Sequence, residues 1–115
     1  MSQDSVLMTK SKKFAVRIVK LYQYLSKTKR EHVMSKQLLR SGTSIGANLQ
    51  EGIYGQSRAD FIAKISISLK EAVETEYWLD LLFETEYLTE KQYESVKSDC
   101  VELIKMLTST KKNSR

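Results

Sequence analysis

The residues able to do chemistry are few, and their spacing removes most of the options. His32 is the only histidine and follows Glu31 directly. Di-iron helical bundles take Glu-x-x-His from each of two helices, so no such centre can be built. Glu71 and Glu74, at i and i+3, could hold a hard cation, although a solvated carboxylate pair is the simpler reading. Cys100 is the only cysteine, which excludes an internal disulfide. It would form a nucleophilic pair with His32 only if the fold happened to bring the two together. Its place on an apolar helical arc reads instead as an inert core thiol. No Gly-x-x-x-x-Gly-Lys loop and no Gly-x-Gly-x-x-Gly turn occurs, and Gly52 and Gly55 read as helix-end or turn glycines. The expectation is a protein that is not an enzyme, with no catalytic residues, no metal site and no cofactor.

Charge is the stronger signal. The net charge is +5, but residues 1–30 hold eight basic groups and one acid, while residues 57–88 hold three basic groups and seven acids. Lys12, Lys13, Arg17, Lys20, Lys27, Lys29 and Arg30 are therefore the candidates for contact with nucleic-acid phosphates. The stretch Glu71–Glu86, with six acids and no base, could instead attract that basic segment, within one chain or between chains. Plain solvated helix faces would carry the same charges.

These residues must be positioned by helices. A chain of 115 residues suits one domain, and a composition 41% apolar and 29% charged is globular rather than disordered. The absence of proline and the four glycines disfavour a turn-rich β fold. Apolar residues recur at helical spacing near 11–28 (Phe14, Ile18, Leu21, Tyr22, Leu25) and near 32–54 (Met34, Leu38, Ser41, Ile45, Asn48, Leu49, Gly52). They do so again near 58–86 (Phe61, Ile65, Leu69, Ala72, Leu79, Phe83) and near 90–109 (Tyr93, Val96, Cys100, Leu103, Ile104, Leu107). Ser57 with Asp60, and Thr89 with Gln92, resemble capping boxes that open the last two segments. Lys64–Leu69 alternates like a strand, but no second strand exists to pair with it, so helix is expected there. Residues 1–9 and 110–115 are expected to fray. Short links predict an all-α, antiparallel up-down four-helix bundle over 1–115. No basic start precedes an apolar run at the N-terminus and no stretch is apolar enough to span a membrane, so a cytoplasmic protein is expected.

Two segments are unusual. The second places Ser41 and Asn48 inside the apolar arc, where both are expected to be buried and partnered. Arg40, Ser44 and Asn48, spaced by four, form a polar strip beside it. Helix packing, a ligand site and a subunit interface all fit that strip. The third segment carries Ile62, Ile67, Val73, Tyr77 and Leu81 outside its core arc. A helix apolar on several sides needs several packing partners, which predicts self-association. Glu76 falls in the core arc, so it should be paired, with Arg40 or Arg17, unless the helix drifts and leaves it in solvent.

The run Arg40-Ser41-Gly42-Thr43-Ser44-Ile45-Gly46-Ala47-Asn48-Leu49-x-Glu51 resembles the signature of the bacterial four-helix-bundle family of 23S rRNA-intervening-sequence proteins. Ser57-x-x-Asp60-Phe61-Ile62-x-Lys64 and Ser68-Leu69-Lys70-Glu71-Ala72-x-Glu74-Thr75-x-Tyr77-Trp78-Leu79 continue the match. The likeness is close over 40–79 and looser in the flanking segments. Ser66 and Ser68 depart from it, because relatives more often carry alanine-like residues there. The resemblance implies an antiparallel bundle assembled as a homopentameric ring, with no accepted enzymatic activity. It also implies a link to insertions in ribosomal RNA genes. A related group serves as accessory protein to a retroelement reverse transcriptase and contacts nucleic acid through a basic surface. On this likeness Arg40, Ser41, Ser44, Asn48, Glu51, Glu71, Glu74 and Trp78, and by its place in the core arc Glu76, are expected as structural polar or interface residues.

Two functions then compete. In the first, an oligomeric bundle binds RNA or DNA, alone or in a ribonucleoprotein, through a basic surface repeated around a ring, so that weak patches gain avidity. In the second, the chain is a protein-interaction scaffold in which a neighbour's acidic stretch neutralises the basic helix. The exposure and pairing of the first segment's lysines separate the two.

Overall fold

The computed structural model describes residues 3–114, which form four helices: α1 (Gln3–Lys27), α2 (Met34–Ile53), α3 (Arg58–Glu84) and α4 (Glu90–Asn113). Each helix packs on its two neighbours and none crosses the bundle diagonal, as short antiparallel connections require. The α1–α4 seam is the least closely packed of the four. The molecule measures 43 × 21 × 21 Å, so its long axis is about the length of α3.

Every helix presents a seam of alternating three- and four-residue steps to the core. In α1 it is Leu7, Ser11, Phe14, Ile18 and Leu25. In α3 it is Ile65, Ser68, Ala72, Thr75, Leu79 and Leu82. In α4 it is Val96, Cys100, Leu103, Leu107 and Thr110. A period near 3.5 keeps one stripe facing the partners along the whole rod, which is the geometry of shallowly crossed bundles. Lys64–Leu69 is helical, because Ile65 and Ser68 are consecutive members of that stripe.

α1 and α4 are longer than the sequence pattern predicts, while α2, expected near 32–54, spans only Met34–Ile53. The segment expected to fray at 1–9 is helical from Gln3, and Leu7 is fully buried one turn before Ser11. The polar seam residue Ser11, itself fully buried, hid that continuation. At the other end α4 runs to Asn113, with Thr110 buried as the last seam residue rather than the start of a loose tail. The parts of those expected ends at 1–2 and 115 lie outside the described residues. Conversely, α3 stops at Glu84, two residues short of the expected end. Glu86 adopts a left-handed φ of 69° there, and the N–H groups of Tyr87 and Glu86 reach back to Leu82 O and Phe83 O. That is a Schellman closure made without glycine.

One of the two expected capping boxes forms in full, at Thr89, and the other forms only its first half, at Ser57. Ser57 Oγ accepts from Asp60 N at 3.1 Å. Thr89 and Gln92 make the full reciprocal box, Gln92 N to Thr89 Oγ1 at 3.1 Å and Thr89 N to Gln92 Oε1 at 2.9 Å. The start of α2 is held differently. Glu31, only 7% exposed, accepts N–H groups from Val33, Met34 and Ser35 at 3.2, 3.1 and 2.7 Å.

Small residues let α2 approach its neighbours closely. A Cβ on Gly42 would lie 2.8 Å from both γ carbons of Ile18, and one on Gly52 would lie 2.8 Å from Lys64 Cβ. Polar groups at these contacts are satisfied across the seam. Ser68 Oγ donates to Ile45 O at 2.9 Å, and Thr75 Oγ1 lies 2.9 Å from the buried Ser41 Oγ. Ser68, one of the two departures from the family pattern, thus ties α3 to α2. The other, Ser66, donates to Ile62 O within its own helix.

Candidate functional site

Two surfaces collect the residues singled out by the sequence. The first runs along the outer edge of α2 and α3. The guanidinium of Arg40 forks across to α3, Nη1 to Glu71 Oε2 at 2.9 Å and Nη2 to Glu74 Oε2. Glu74 also accepts from Trp78 Nε1 at 3.0 Å, and the Trp78 ring meets Tyr77 edge-on with centroids 5.1 Å apart. The Trp78 hydrogen bond and then Arg40 hold the Glu74 carboxyl below the ordinary carboxylate range, and Glu74 in turn raises the pKa of Arg40. Glu71 and Glu74 are therefore an arginine clamp and not a cation site. Beside the clamp Leu69, Val73, Tyr77 and Trp78 line an open apolar groove, with Val73 50% and Tyr77 57% exposed.

Ser44 and Asn48 do not join this cluster. Ser44 Oγ donates back to Arg40 O at 2.6 Å and Asn48 Nδ2 to Ser44 O at 2.8 Å, a ladder along the flank of α2. Asn48 is half-buried rather than buried, because the seam passes through Ile45 and Leu49 beside it. Glu51 pairs with Lys64 at 2.9 Å near the far end of the helices.

Glu76 corrects the sequence reading. Neither Arg40 nor Arg17 is its partner, and it is not buried. The seam of α3 passes through Thr75 and Leu79, which turns Glu76 one step toward α4 and Lys97, at 3.5 Å. Lys97 also binds Asp80 at 2.6 Å, and Asp80 accepts from Tyr93 OH at 2.6 Å. Tyr93 stacks on Phe83, which sits at this edge while Leu82 fills the core. Burial opposes the charge on Lys97, but hydrogen bonds to Asp80 and Tyr93 outweigh it and raise its pKa. Sequence reasoning missed this network, although Lys97 lies one turn after Tyr93 and Asp80 one turn after Glu76.

Cys100 is fully buried, its Sγ 3.3 Å from Ala72 O, and burial pushes its pKa up to about 12. A thiol so protonated is no nucleophile at neutral pH. His32 is exposed at the turn before α2 and has no part in that environment.

The second surface is the basic side of α1. Arg17 is tied to α4, with Nη1 2.7 Å from Asp99 Oδ2 and Nη2 2.8 Å from Ser95 Oγ. Lys10 pairs with Glu102 at 3.2 Å. Lys12, Lys13, Lys20, Lys27, Lys29 and Arg30 are exposed, and among the described residues none has a carboxylate within ion-pair reach. Six of the seven cations picked from the sequence thus remain open, and Arg17 is spent on holding α1 to α4.

Four antiparallel helices on heptad-like seams, with a forked arginine clamp at one edge and a basic face on α1, define a small all-α four-helix-bundle protein. The chain belongs to the 23S rRNA-intervening sequence protein family, whose pattern it matches over residues 3–109. It is also similar to a crystal structure from Bacteroides thetaiotaomicron, described as a protein of unknown function from the S23 ribosomal protein family. The two share 58% identity and a TM-score of 0.95, over 96% of this chain and 99% of that one. No curated protein matches. Among the described residues no helix is long and apolar enough to cross a membrane.

Proposed function

We propose that this chain is a non-enzymatic, self-associating bundle that binds RNA, free or within a ribonucleoprotein, through the basic face of α1. A cytoplasmic location is part of the same proposal. One observation carries it: the acids that could have silenced α1 are engaged elsewhere. Glu71 and Glu74 are held by Arg40, and Glu76 and Asp80 by Lys97, while six cations of the first segment stay unpaired. A scaffold whose neighbour's acidic helix covers α1 would have to break those pairs or rely on Glu84 and Glu86 alone. The family membership supports an association with ribosomal RNA. The open groove beside Trp78 supports assembly through α3, with a five-membered ring as the form the family resemblance implies.

Fluorescence anisotropy with a single-stranded RNA, repeated over a series of salt concentrations, tests the binding. With about four phosphates neutralised, the log–log slope should be roughly −3, and Lys12→Glu with Lys13→Glu should flatten it by about 1.4 or more. A flat slope, or a double variant that binds like the parent, sinks the electrostatic reading. Light scattering tests the assembly. Val73→Lys, on an exposed apolar position, should yield single protomers with the same helical content, whereas the parent chain should run as an oligomer. A parent chain that stays monomeric at micromolar concentration removes the ring.

A further inference from the structure

The α1–α4 seam contains a hollow that the packing of the bundle does not need. It is lined by Arg17, Lys20, Leu21, Tyr24, Gln92 and Val96. Leu21, Tyr24 and Val96 make its apolar floor, and no carboxylate lines it. Lys20 stands at its rim, exposed and unpaired among the described residues. Lys13 and Lys27 sit on the same face of α1, each seven residues from Lys20 and so roughly 10 Å away along the helix. Two polar groups in the lining have spare capacity. Gln92 spends its Oε1 on the cap at Thr89, and no partner is found for its amide nitrogen among the described residues. Tyr24, half-buried, has its hydroxyl without a partner among the described residues. A second hollow lower in the same seam differs in charge, because Asp99 and Glu102 form part of its wall.

An apolar slot bordered by cations and spare hydrogen-bonding groups matches one part of a nucleic acid. An unstacked base offers an apolar face for Tyr24 and Leu21 and a polar edge for Gln92, while its flanking phosphates meet Lys13, Lys20 and Lys27. A base held in a duplex is stacked and paired and cannot enter. We propose that the α1–α4 hollow receives an unpaired nucleotide, so that the chain prefers single-stranded over duplex RNA. This rests on the reading of α1 as an RNA-binding face and specifies the form of RNA bound there.

The test uses the full chain and three probes with equal numbers of phosphates: an oligouridylate, the same strand with its bases removed, and a blunt-ended, fully paired RNA duplex. Oligouridylate should bind roughly five-fold or more tightly than either of the others, the share that base–aromatic stacking contributes. Tyr24→Ala should erase that preference and leave duplex binding unchanged, and Tyr24→Phe should keep it. The comparison of intact with base-free strand needs only the parent protein, so a poorly folded variant cannot blur the result. Equal binding of intact and base-free strands overturns the slot while leaving the basic face standing. Tyr24→Ala that changes the oligomeric state but not the preference also overturns it, because a protein surface would then be the occupant. Failure of all three probes to bind removes the RNA-binding face itself and the slot with it.

Discussion

Replacing Gly42 by leucine should destabilise the bundle by about 3 kcal/mol, and even alanine should cost roughly 1 kcal/mol. Helix propensity alone gives the opposite sign, since alanine is worth about 1 kcal/mol more than glycine in a helix interior. The geometry decides against it. A new Cβ would lie 2.8 Å from Cγ1 and Cγ2 of Ile18 and 3.2 Å from its Cβ. Those atoms belong to a fully buried β-branched side chain whose χ1 has little freedom, so they cannot swing away like the end of a lysine. Relief requires α1 and α2 to part, which would loosen Ile45 and Phe14 in the same core. Urea unfolding of Gly42→Ala and Gly42→Leu measures the loss. Ile18→Ala alone should cost roughly 2–5 kcal/mol through the cavity it leaves. Combined with Gly42→Ala it should cost less than the sum of the two, by about 1 kcal/mol, because each change makes room for the other. A stabilised Gly42→Ala, or strictly additive costs, would show that the close approach of α1 and α2 is incidental.

The contrast between Gly42 and Glu76 shows what the sequence could reveal. Four helices, their links and the caps at Ser57 and Thr89 follow from spacing and local chemistry, which depend on neighbours in the chain. The exact rotation of each helix was harder to read. In α3 the expected arc shares Ile65, Ala72 and Leu79 with the buried seam, but it takes Leu69 and Phe83 where the seam takes Ser68, Thr75 and Leu82. Serine and threonine are poor markers of a core, yet here they hold interhelical hydrogen bonds that involve Ile45 O and Ser41 Oγ. Taking them as surface rotates the wheel by roughly 40° at 100° per residue, places Phe83 inside and assigns Glu76 the wrong partner. The helix ends at Leu7 and Thr110 were missed for the same reason, since the seam passes there through Ser11 and Thr110, which carry no apolar signal.

Charge on this molecule is arranged by helix pair rather than by net sum. Arg40 and Lys97 each bind two carboxylates of α3 from opposite flanks, and Arg17 and Lys10 bind two of α4. Each of these pairs is partly exposed, so individually it contributes little to stability. Together they orient the helices and consume the acids, which leaves the surplus of positive charge concentrated on one side of α1. That outcome is invisible in the overall +5.

Removing the carboxylate of Glu31 should be the most damaging change of a single charge. Three backbone N–H groups at the start of α2 point at it, and Ser35, itself fully buried, donates its hydroxyl to Glu31 O at 2.7 Å. Burial opposes ionisation of this group, but the hydrogen bonds from Ser35, Met34 and Val33 outweigh burial and hold its pKa below the ordinary 4.5. The helix dipole adds to the same preference for negative charge. Glu31→Ala would leave those donors without an acceptor in a site with little access to water, at a cost of about 3 kcal/mol near neutral pH. Glu31→Gln keeps one acceptor oxygen and loses the charge, and should cost about 2 kcal/mol. At roughly 4 °C per kcal/mol for a chain of this size, the melting temperature should fall by about 12 and 8 °C. The sign of the pH dependence follows from the depressed pKa. The stabilisation by Glu31 is complete above the unfolded value and is lost as pH falls through the lower folded value. The gap between parent and Glu31→Gln should therefore be constant from pH 7 down to about 5 and close as the pH drops below about 4. Thermal melts of both proteins across that range measure it. A gap that stays the same in acid would mean that the carboxylate charge has no part in holding α2, and that shape alone fixes the turn.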